Sequence, residues 1–350
     1  MVCVTHYDCP MPFPDPGPTG APSGRDRLDR TTGSPHLSGW SARIAAAPVT
    51  WGVCEVPGWG HQLDPATVLG QMRDRGISAT EFGPDGFLPA AAGEKAATLA
   101  RYGLRGLGQF VPVVLHDPAT DPLPVVREAM DGLVAAGAGV VVVAAATGQD
   151  GYDERPILDE PGWTTLTANL ERVSAEAAAR GLVAALHPHV GTMIETGAET
   201  VRVLRDSTVD LCLDTGHLLV GGGDPVEVAG SHPGRIAHVH LKDVRLDVAE
   251  QVRAGRLGYA EAVARNMYVP LGRGDVDIEA IVHSLESHGY MGWYVIEQDT
   301  MLDPPPGPPD DLQPSRDARA SMDYLMSIDT GPIQPPTSVQ TTTERRASTR

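Results

Sequence analysis

Aromatic side chains are scarce: Phe, Trp and Tyr make up 5% of the 350 residues. A core made without them must rely on Ala, Val, Gly and Leu, which suits a layered α/β protein with helices close against strands. Cysteine is equally sparse. Cys3, Cys9, Cys54 and Cys212 are scattered and form no CxxC pair. That excludes a disulfide framework and argues for a reducing, cytoplasmic setting. Cys212 sits in an apolar run and reads as a small buried hydrophobe. No stretch approaches ~18 apolar residues, so no membrane-spanning helix is expected. The N-terminus lacks an apolar segment behind basic residues, so a secretory signal is not expected either. No long Lys/Arg run occurs, and the formal net charge is -18. Nucleic acid and anionic membrane are therefore repelled on average and excluded as partners. A small molecule remains, with a homo-oligomer as an open option.

What is present is a rhythm. Hydrophobic residues reach 41%, enough for a sizeable core. Short apolar runs recur roughly every 30 residues, an interval that marks a repeating unit. They cover residues 43–49, 78–82, 104–111, 139–144, 182–187, 209–214, 236–241 and 293–297. Helical stretches separate them. DPATVLGQMRDRG carries an Asp64 N-cap, Pro65 at the first helical position and a terminal Gly76. DIEAIVHSLESHG repeats the pattern with Asp277 and Gly289, and TTLTANLERVSAEAAARG stops at Gly181. Continuous apolarity of the strands implies that both sheet faces are covered. The expectation is a single-domain (β/α)8 TIM barrel over 41–328, with a doubly wound open sheet as the lesser alternative. Residues 1–40 and 329–350 are rich in Pro, Ser, Thr and Gly and are expected to be disordered. A short helix is expected near Ser315–Met326. Residues 244–276 read as a helical, lid-like insertion after the seventh strand.

In such a barrel the site lies where the strands end. Glu81 ends the second run. His187 and His189 end the fifth, Asp214 and His217 the sixth, and His238, His240, Lys242 and Asp243 the seventh; Glu297 ends the eighth. Two imidazoles and two carboxylates from four strands can surround one divalent ion. Mixed N/O ligation suits Mn²⁺, Co²⁺, Fe²⁺ or Zn²⁺ better than Ca²⁺. Alternation puts His238, His240 and Lys242 on one strand face, and His187 and His189 on another. A lone strand-end histidine is usually a hydrogen-bonded structural residue. Four strand ends carrying ligand-type residues together are harder to explain that way. Glu81 alone reads equally as a helix cap or a substrate contact, Glu195 as a cap, and Lys242 as a partner of Asp243. His61, His116, His232, His283 and His288 are given no function.

At these residues the chain resembles the xylose-isomerase-like sugar isomerase/epimerase superfamily, over about Arg43 to Asp299. LDTGH and HVHLKD carry that resemblance. Within the superfamily it looks most like the inosose (2-keto-myo-inositol) dehydratases, through APVTWGV, EFGPDGFLP, HPHVGT, NMYVPLGRGD and YMGWYVIEQD. The resemblance implies a divalent metal, Mn²⁺ or Co²⁺ foremost with Zn²⁺, Fe²⁺ or Mg²⁺ as options, and no organic cofactor. It implies ligands at Asp214, His240 and Glu297. His187 stands where the superfamily has a fifth-strand Glu, so His187, His189 or Glu195 fills the fourth place. Epimerases of the superfamily use two opposed carboxylates, and loss of one favours dehydration of a keto-cyclitol from a polyol or keto-sugar pool.

In the expected mechanism Glu297 or an imidazole takes the α-proton, and Lys242 stabilises the enolate. His217, His189 or a water on the metal protonates the departing hydroxide. Trp51, Glu81, His238 and Asn266 line the pocket. Two other readings stand beside this lyase: a metal-dependent sugar or sugar-phosphate isomerase/epimerase working by enediolate proton transfer, and a non-catalytic carbohydrate-binding barrel. A nuclease on a similar barrel is disfavoured by the charge.

Overall fold

Each of the eight apolar runs becomes a strand, and together they close a parallel barrel. The computed structural model describes residues 39–303 and 312–330. The strands are β1 (Ile44–Ala46), β2 (Ala79–Thr80), β3 (Arg105–Gly106), β4 (Gly108–Val113), β5 (Val140–Ala145), β6 (Val183–Leu186), β7 (Asp210–Asp214), β8 (Ile236–Leu241), β9 (Asp243–Val244), β10 (Tyr268–Val269) and β11 (Tyr294–Ile296). The main sheet runs β3-β2-β1-β11-β8-β7-β6-β5-β4, and its pairs are parallel. β3 and β4 are two halves of one expected strand, interrupted at Leu107. Leu107 donates its N–H to Thr80 at 2.9 Å and accepts from Val140 at 3.1 Å, so it joins both flanks and closes the ring. Gly106 runs close under Phe82: a Cβ there would collide with the ring.

Helices cover the outside: α1 (Pro65–Asp74), α2 (Ala92–Arg101), α3 (Leu123–Ala136), α4 (Glu160–Ala179), α5 (Gly197–Asp206), α6 (Thr215–Val220), α7 (Pro225–Ser231), α8 (Leu246–Arg253), α9 (Tyr259–Ala264), α10 (Ile278–Ser287) and α11 (Gln313–Ser327). The expected caps are in place. Asp64 accepts from Thr67 N and Asp277 from Ala280 N, each satisfying an amide that the first helical turn leaves free. Among the described residues no helix is long and apolar enough to cross a membrane.

The tails expected to be disordered, 1–40 and 329–350, lie outside the described residues except at their inner ends. Gly39–Arg43 form a 3₁₀ turn, and Trp40 is buried edge-on against Tyr294 at 5.6 Å. Gly39 and Trp40, inside the segment expected to be disordered, are thus in a turn that the Trp packs against the barrel. The insertion also differs from a purely helical lid. It carries α8 and α9, but β9 and β10 pair antiparallel at its base, with Tyr268 opposite Val244. Two-residue strands are too short to leave a periodic pattern. Asp243 secures the return of the chain: its carboxylate accepts from the backbone N–H of Val244, Gly272, Gly274 and Val276 at 2.8–3.0 Å. A side chain at Gly274 would strike that carboxylate.

Candidate metal and catalytic site

Strand register brings the polar residues level with one another. Asp214 of β7 pairs with His240 of β8, which pairs with Val295 of β11. Glu297, one residue past β11, donates its N–H to Leu241 at 3.0 Å. His187, one residue past β6, donates to Val143 at 2.8 Å. Four strand ends therefore deliver four side chains to one place inside the barrel mouth. All are buried, from 1% exposed at His187, Asp214 and His240 to 8% at Glu297.

Three of the four have one end committed and the other unpartnered. Asp214 Oδ1 caps α6, accepting from Gly216 N at 2.9 Å and His217 N at 2.8 Å, while Oδ2 is buried with no hydrogen bond. His240 Nε2 meets Glu81 Oε1 at 2.9 Å, while Nδ1 has no hydrogen bond. Glu297 Oε1 lies 3.0 Å from Lys242 Nζ, while Oε2 is unpartnered. His187 has neither nitrogen hydrogen-bonded. The orphaned atoms face one another. His187 Nε2 is 3.3 Å and His240 Nδ1 3.5 Å from Asp214 Oδ2, and His240 Nδ1 is 2.8 Å from Glu297 Oε2 in a geometry that is not a hydrogen bond. Buried polar atoms are nearly always paired. Lone pairs left over and aimed together fit a cation. Asp214, His240 and Glu297 form one compact donor group, and His187 joins through Asp214.

Around this group stand its partners. Glu81 Oε1 also takes His238 Nε2 at 2.7 Å, so Glu81 bonds two histidines of β8 and is buried with them. Lys242 Nζ sits among Asp299 at 2.7 Å, His217 Nε2 at 2.8 Å and Glu297 at 3.0 Å. No hydrogen bond or ion pair joins its side chain to Asp243, whose carboxylate is occupied by backbone amides. His189 donates its Nδ1–H to the Val190 carbonyl at 2.7 Å and lies tilted against His217 with ring centroids 3.8 Å apart. Trp59, Tyr152 and Tyr259 pack with these rings, Tyr152 lying 5.7 Å from His189 and 5.0 Å from Tyr259.

Electrostatics sort the groups. Burial alone would raise the Asp214 carboxyl, but Lys242 and the surrounding imidazoles hold it well below the usual carboxylate range. Glu297 is likewise buried, yet His240 and Lys242 hold it at about 2. Burial disfavours the charged form of Lys242; Asp214, Asp299 and Glu297 outweigh it and keep the ammonium well above its ordinary value. Burial, with His187 and Lys242 nearby, lowers His189 to about 3. His217 is depressed by burial and then by His189 and Lys242, and His187 chiefly by burial.

Other anticipated residues are placed as follows. The Trp51 indole N–H goes to Gln71 Oε1 at 2.8 Å, and the ring is fully buried. Asn266 follows α9 with φ 56°, a left-handed geometry Asn tolerates, and borders a narrow cleft with Tyr268, Gln298 and Asp299. Glu195 is turned to local structure: it accepts from Gly191 N at 2.7 Å and pairs with Arg155 at 3.3 Å. Cys212 is buried beside Val142 and Ala185. Asp299, Tyr259 and Tyr268 escaped sequence reasoning, although Asp299 contacts Lys242 directly. Its signal was only its place two residues beyond Glu297 in IEQD.

Comparison with known proteins gives the family. Residues 71–328 match the family model described as xylose isomerase-like TIM barrel. The inosose dehydratase of Geobacillus kaustophilus is 32% identical over 268 residues, covering 73% of this chain and 86% of that protein. The rhizopine catabolism protein MocC of Rhizobium meliloti is 33% identical over 266 residues, covering 73% and 81%. Among solved structures, the IolI protein with a bound zinc superposes with a TM-score of 0.60 at 15% identity, covering 82% of this chain and 97% of that one. That last likeness speaks to the fold alone. The chain therefore belongs to the xylose isomerase-like TIM barrel family and is an enzyme, a hydro-lyase by its kinship with the inosose dehydratases.

Proposed function

We propose that the protein removes water from a keto-cyclitol of the 2-keto-myo-inositol type, with a divalent metal held by His187, Asp214, His240 and Glu297. One observation carries the metal: four buried donor atoms on these residues lack hydrogen-bond partners and face one another. The inosose dehydratase relatives supply the substrate class. The N/O donor set suits Mn²⁺, Co²⁺, Zn²⁺ or Fe²⁺. When bound, such an ion supplies Lewis acidity toward a ketone oxygen and its neighbouring hydroxyl, which acidifies the adjacent C–H.

The chain's own residues do the rest. A proton acceptor must be unprotonated at working pH. His189, held neutral with its Nδ1 proton on Val190 O, keeps a free Nε2 lone pair, and Glu297 is the second candidate base. Lys242, a fixed positive charge, stabilises negative charge developing on the substrate oxygen. His217 contacts the Lys242 ammonium at 2.8 Å, and in this reading the Lys242–His217 pair supplies the proton to the departing hydroxyl. The α-proton leaves with the base, the β-hydroxyl leaves as water, and the α-hydroxy enone so formed ketonises to a dione. Trp51, Glu81, His238 and Asn266 are retained as residues shaping the pocket, Glu81 and His238 from behind His240.

Incubation of Mn²⁺- or Co²⁺-loaded protein with 2-keto-myo-inositol tests this. Loss of one water by mass and growth of dione absorbance are expected. Recovery of an isomer of unchanged mass would transfer the protein to the isomerase/epimerase reading, and recovery of untouched substrate would remove the substrate assignment.

A further inference from the structure

Five side chains next to the proposed metal ligands close a ring of four hydrogen bonds and one ion pair. Lys242 Nζ lies 2.7 Å from Asp299 Oδ1 and 2.8 Å from His217 Nε2. The Tyr259 hydroxyl donates to Asp299 Oδ2 at 2.5 Å. Tyr259 and Tyr268 hydroxyls are 3.2 Å apart, and Tyr268 Oη is 3.4 Å from His217 Nδ1. An ammonium only donates and a carboxylate only accepts, so the proton directions follow. Lys242 donates to His217 Nε2. A neutral His217 then carries its proton on Nδ1 and gives it to Tyr268, Tyr268 donates to Tyr259, and Tyr259 to Asp299. Lys242 is the source of the circuit and Asp299 its sink.

The ring joins two parts of the molecule. His217, Lys242 and Asp299 belong to the barrel mouth, whereas Tyr259 and Tyr268 come from the insertion, on α9 and β10. It also decides where the ammonium points. The Lys242 ammonium is hydrogen-bonded to His217 at 2.8 Å and ion-paired with Asp299 at 2.7 Å and Glu297 Oε1 at 3.0 Å. Asp214 Oδ2, the fourth acceptor, is 3.4 Å away and has no hydrogen-bond partner.

We propose that Asp299, itself held by Tyr259 of the insertion, is the positioning residue for Lys242: it draws the ammonium off Asp214 Oδ2, and seating of the insertion thereby aims Lys242 and fixes the tautomer of His217. The proposal rests on the assignment of Asp214 as a metal ligand and of Lys242 to the reaction. Without Asp299 the freed donor turns to the nearest unpartnered acceptor, Asp214 Oδ2, and competes with the metal.

The test uses the full-length protein and the variants Asp299→Asn, Tyr259→Phe, Asp299→Glu and the double variant Lys242→Met/Asp299→Asn. Amide exchange across residues 257–270, read by mass spectrometry without added metal, should quicken about tenfold in Asp299→Asn and less in Tyr259→Phe. Mn²⁺ affinity, by calorimetry, should fall ~10-fold in Asp299→Asn and recover in the double variant, a rescue that mere destabilisation would not give. With 2-keto-myo-inositol, kcat should fall ~10²-fold in Asp299→Asn with KM within about twofold, and Asp299→Glu should regain part of it. Unchanged exchange in both Asp299→Asn and Tyr259→Phe overturns the proposal, as does a Mn²⁺ loss that Lys242→Met fails to repair. If wild-type protein leaves the cyclitol untouched, the substrate reading fails and the exchange and Mn²⁺ arms still decide the ring. If wild-type protein binds no Mn²⁺, the ligand reading fails, and the proposal with it.

Discussion

Two clusters share the barrel mouth and are wired in opposite ways. Around Asp214, His240, Glu297 and His187, buried lone pairs go unanswered. A few ångströms away, Lys242, His217, Tyr268, Tyr259 and Asp299 form a ring in which each member is partnered. Unpaired buried acceptors cost stability, so the first cluster persists only because the capped helix, Glu81 and the strands hold it in place. The second supports itself. The contrast separates a receptacle for something added from a device that is already complete.

The strongest way to break the contrast is at Asp214. Asp214→Asn keeps an oxygen to cap α6 but removes the charge. Metal affinity should fall by more than ~10²-fold, beyond the ~10–100-fold that loss of an outer partner costs. Metal content after dialysis reads this directly, and a melting temperature close to wild type would show that the cap survived. Glu81→Gln comes next. Glu81 fixes His240 with Nε2 protonated and Nδ1 free, so its loss should weaken metal binding about 10-fold, by titration calorimetry.

A pH titration of the metal-free protein probes the seam between the clusters, where His189 lies. Its folded value is about 3, below that of an unfolded histidine near ~6.5. The unfolded state therefore binds the proton first. The stability His189 contributes is complete above pH ~6.5 and is lost as pH falls toward 3. Between pH 7 and 5 the loss should be on the order of 2 kcal/mol, by urea unfolding, and His189→Gln should flatten that slope. Trp51→Phe gives the smallest effect and a reference outside both clusters. It removes the hydrogen bond to Gln71 and should cost about 1 kcal/mol of stability with metal affinity unchanged.

Much of this was legible in the residues, for reasons that can be stated. Strand ends are marked where apolar runs stop, and alternation along β8 told His238, His240 and Lys242 to share a face. Asp64, Asp277 and their glycines marked helices because caps are local. The ring was not legible. Tyr259 and Tyr268 sit in an insertion without a regular period, where a tyrosine reads as core. Asp299 follows β11 in irregular backbone, so nothing in its spacing aims it at Lys242. Glu81 read equally as cap or substrate contact, because its histidine partners lie 157 and 159 residues away.

The four amides gathered by Asp243 give the insertion a property of its own. Because Val244, Gly272, Gly274 and Val276 are all tied to one carboxylate, both ends of that segment are stapled at a single point on the barrel. A loop whose ends are already joined adds closure entropy only logarithmically as it lengthens, about 0.6 kcal/mol for each doubling. The segment is thus a cassette held at its ends: its length between Arg245 and Leu271 can change at small entropic cost as long as Tyr259 and Tyr268 keep their places against Asp299 and His217.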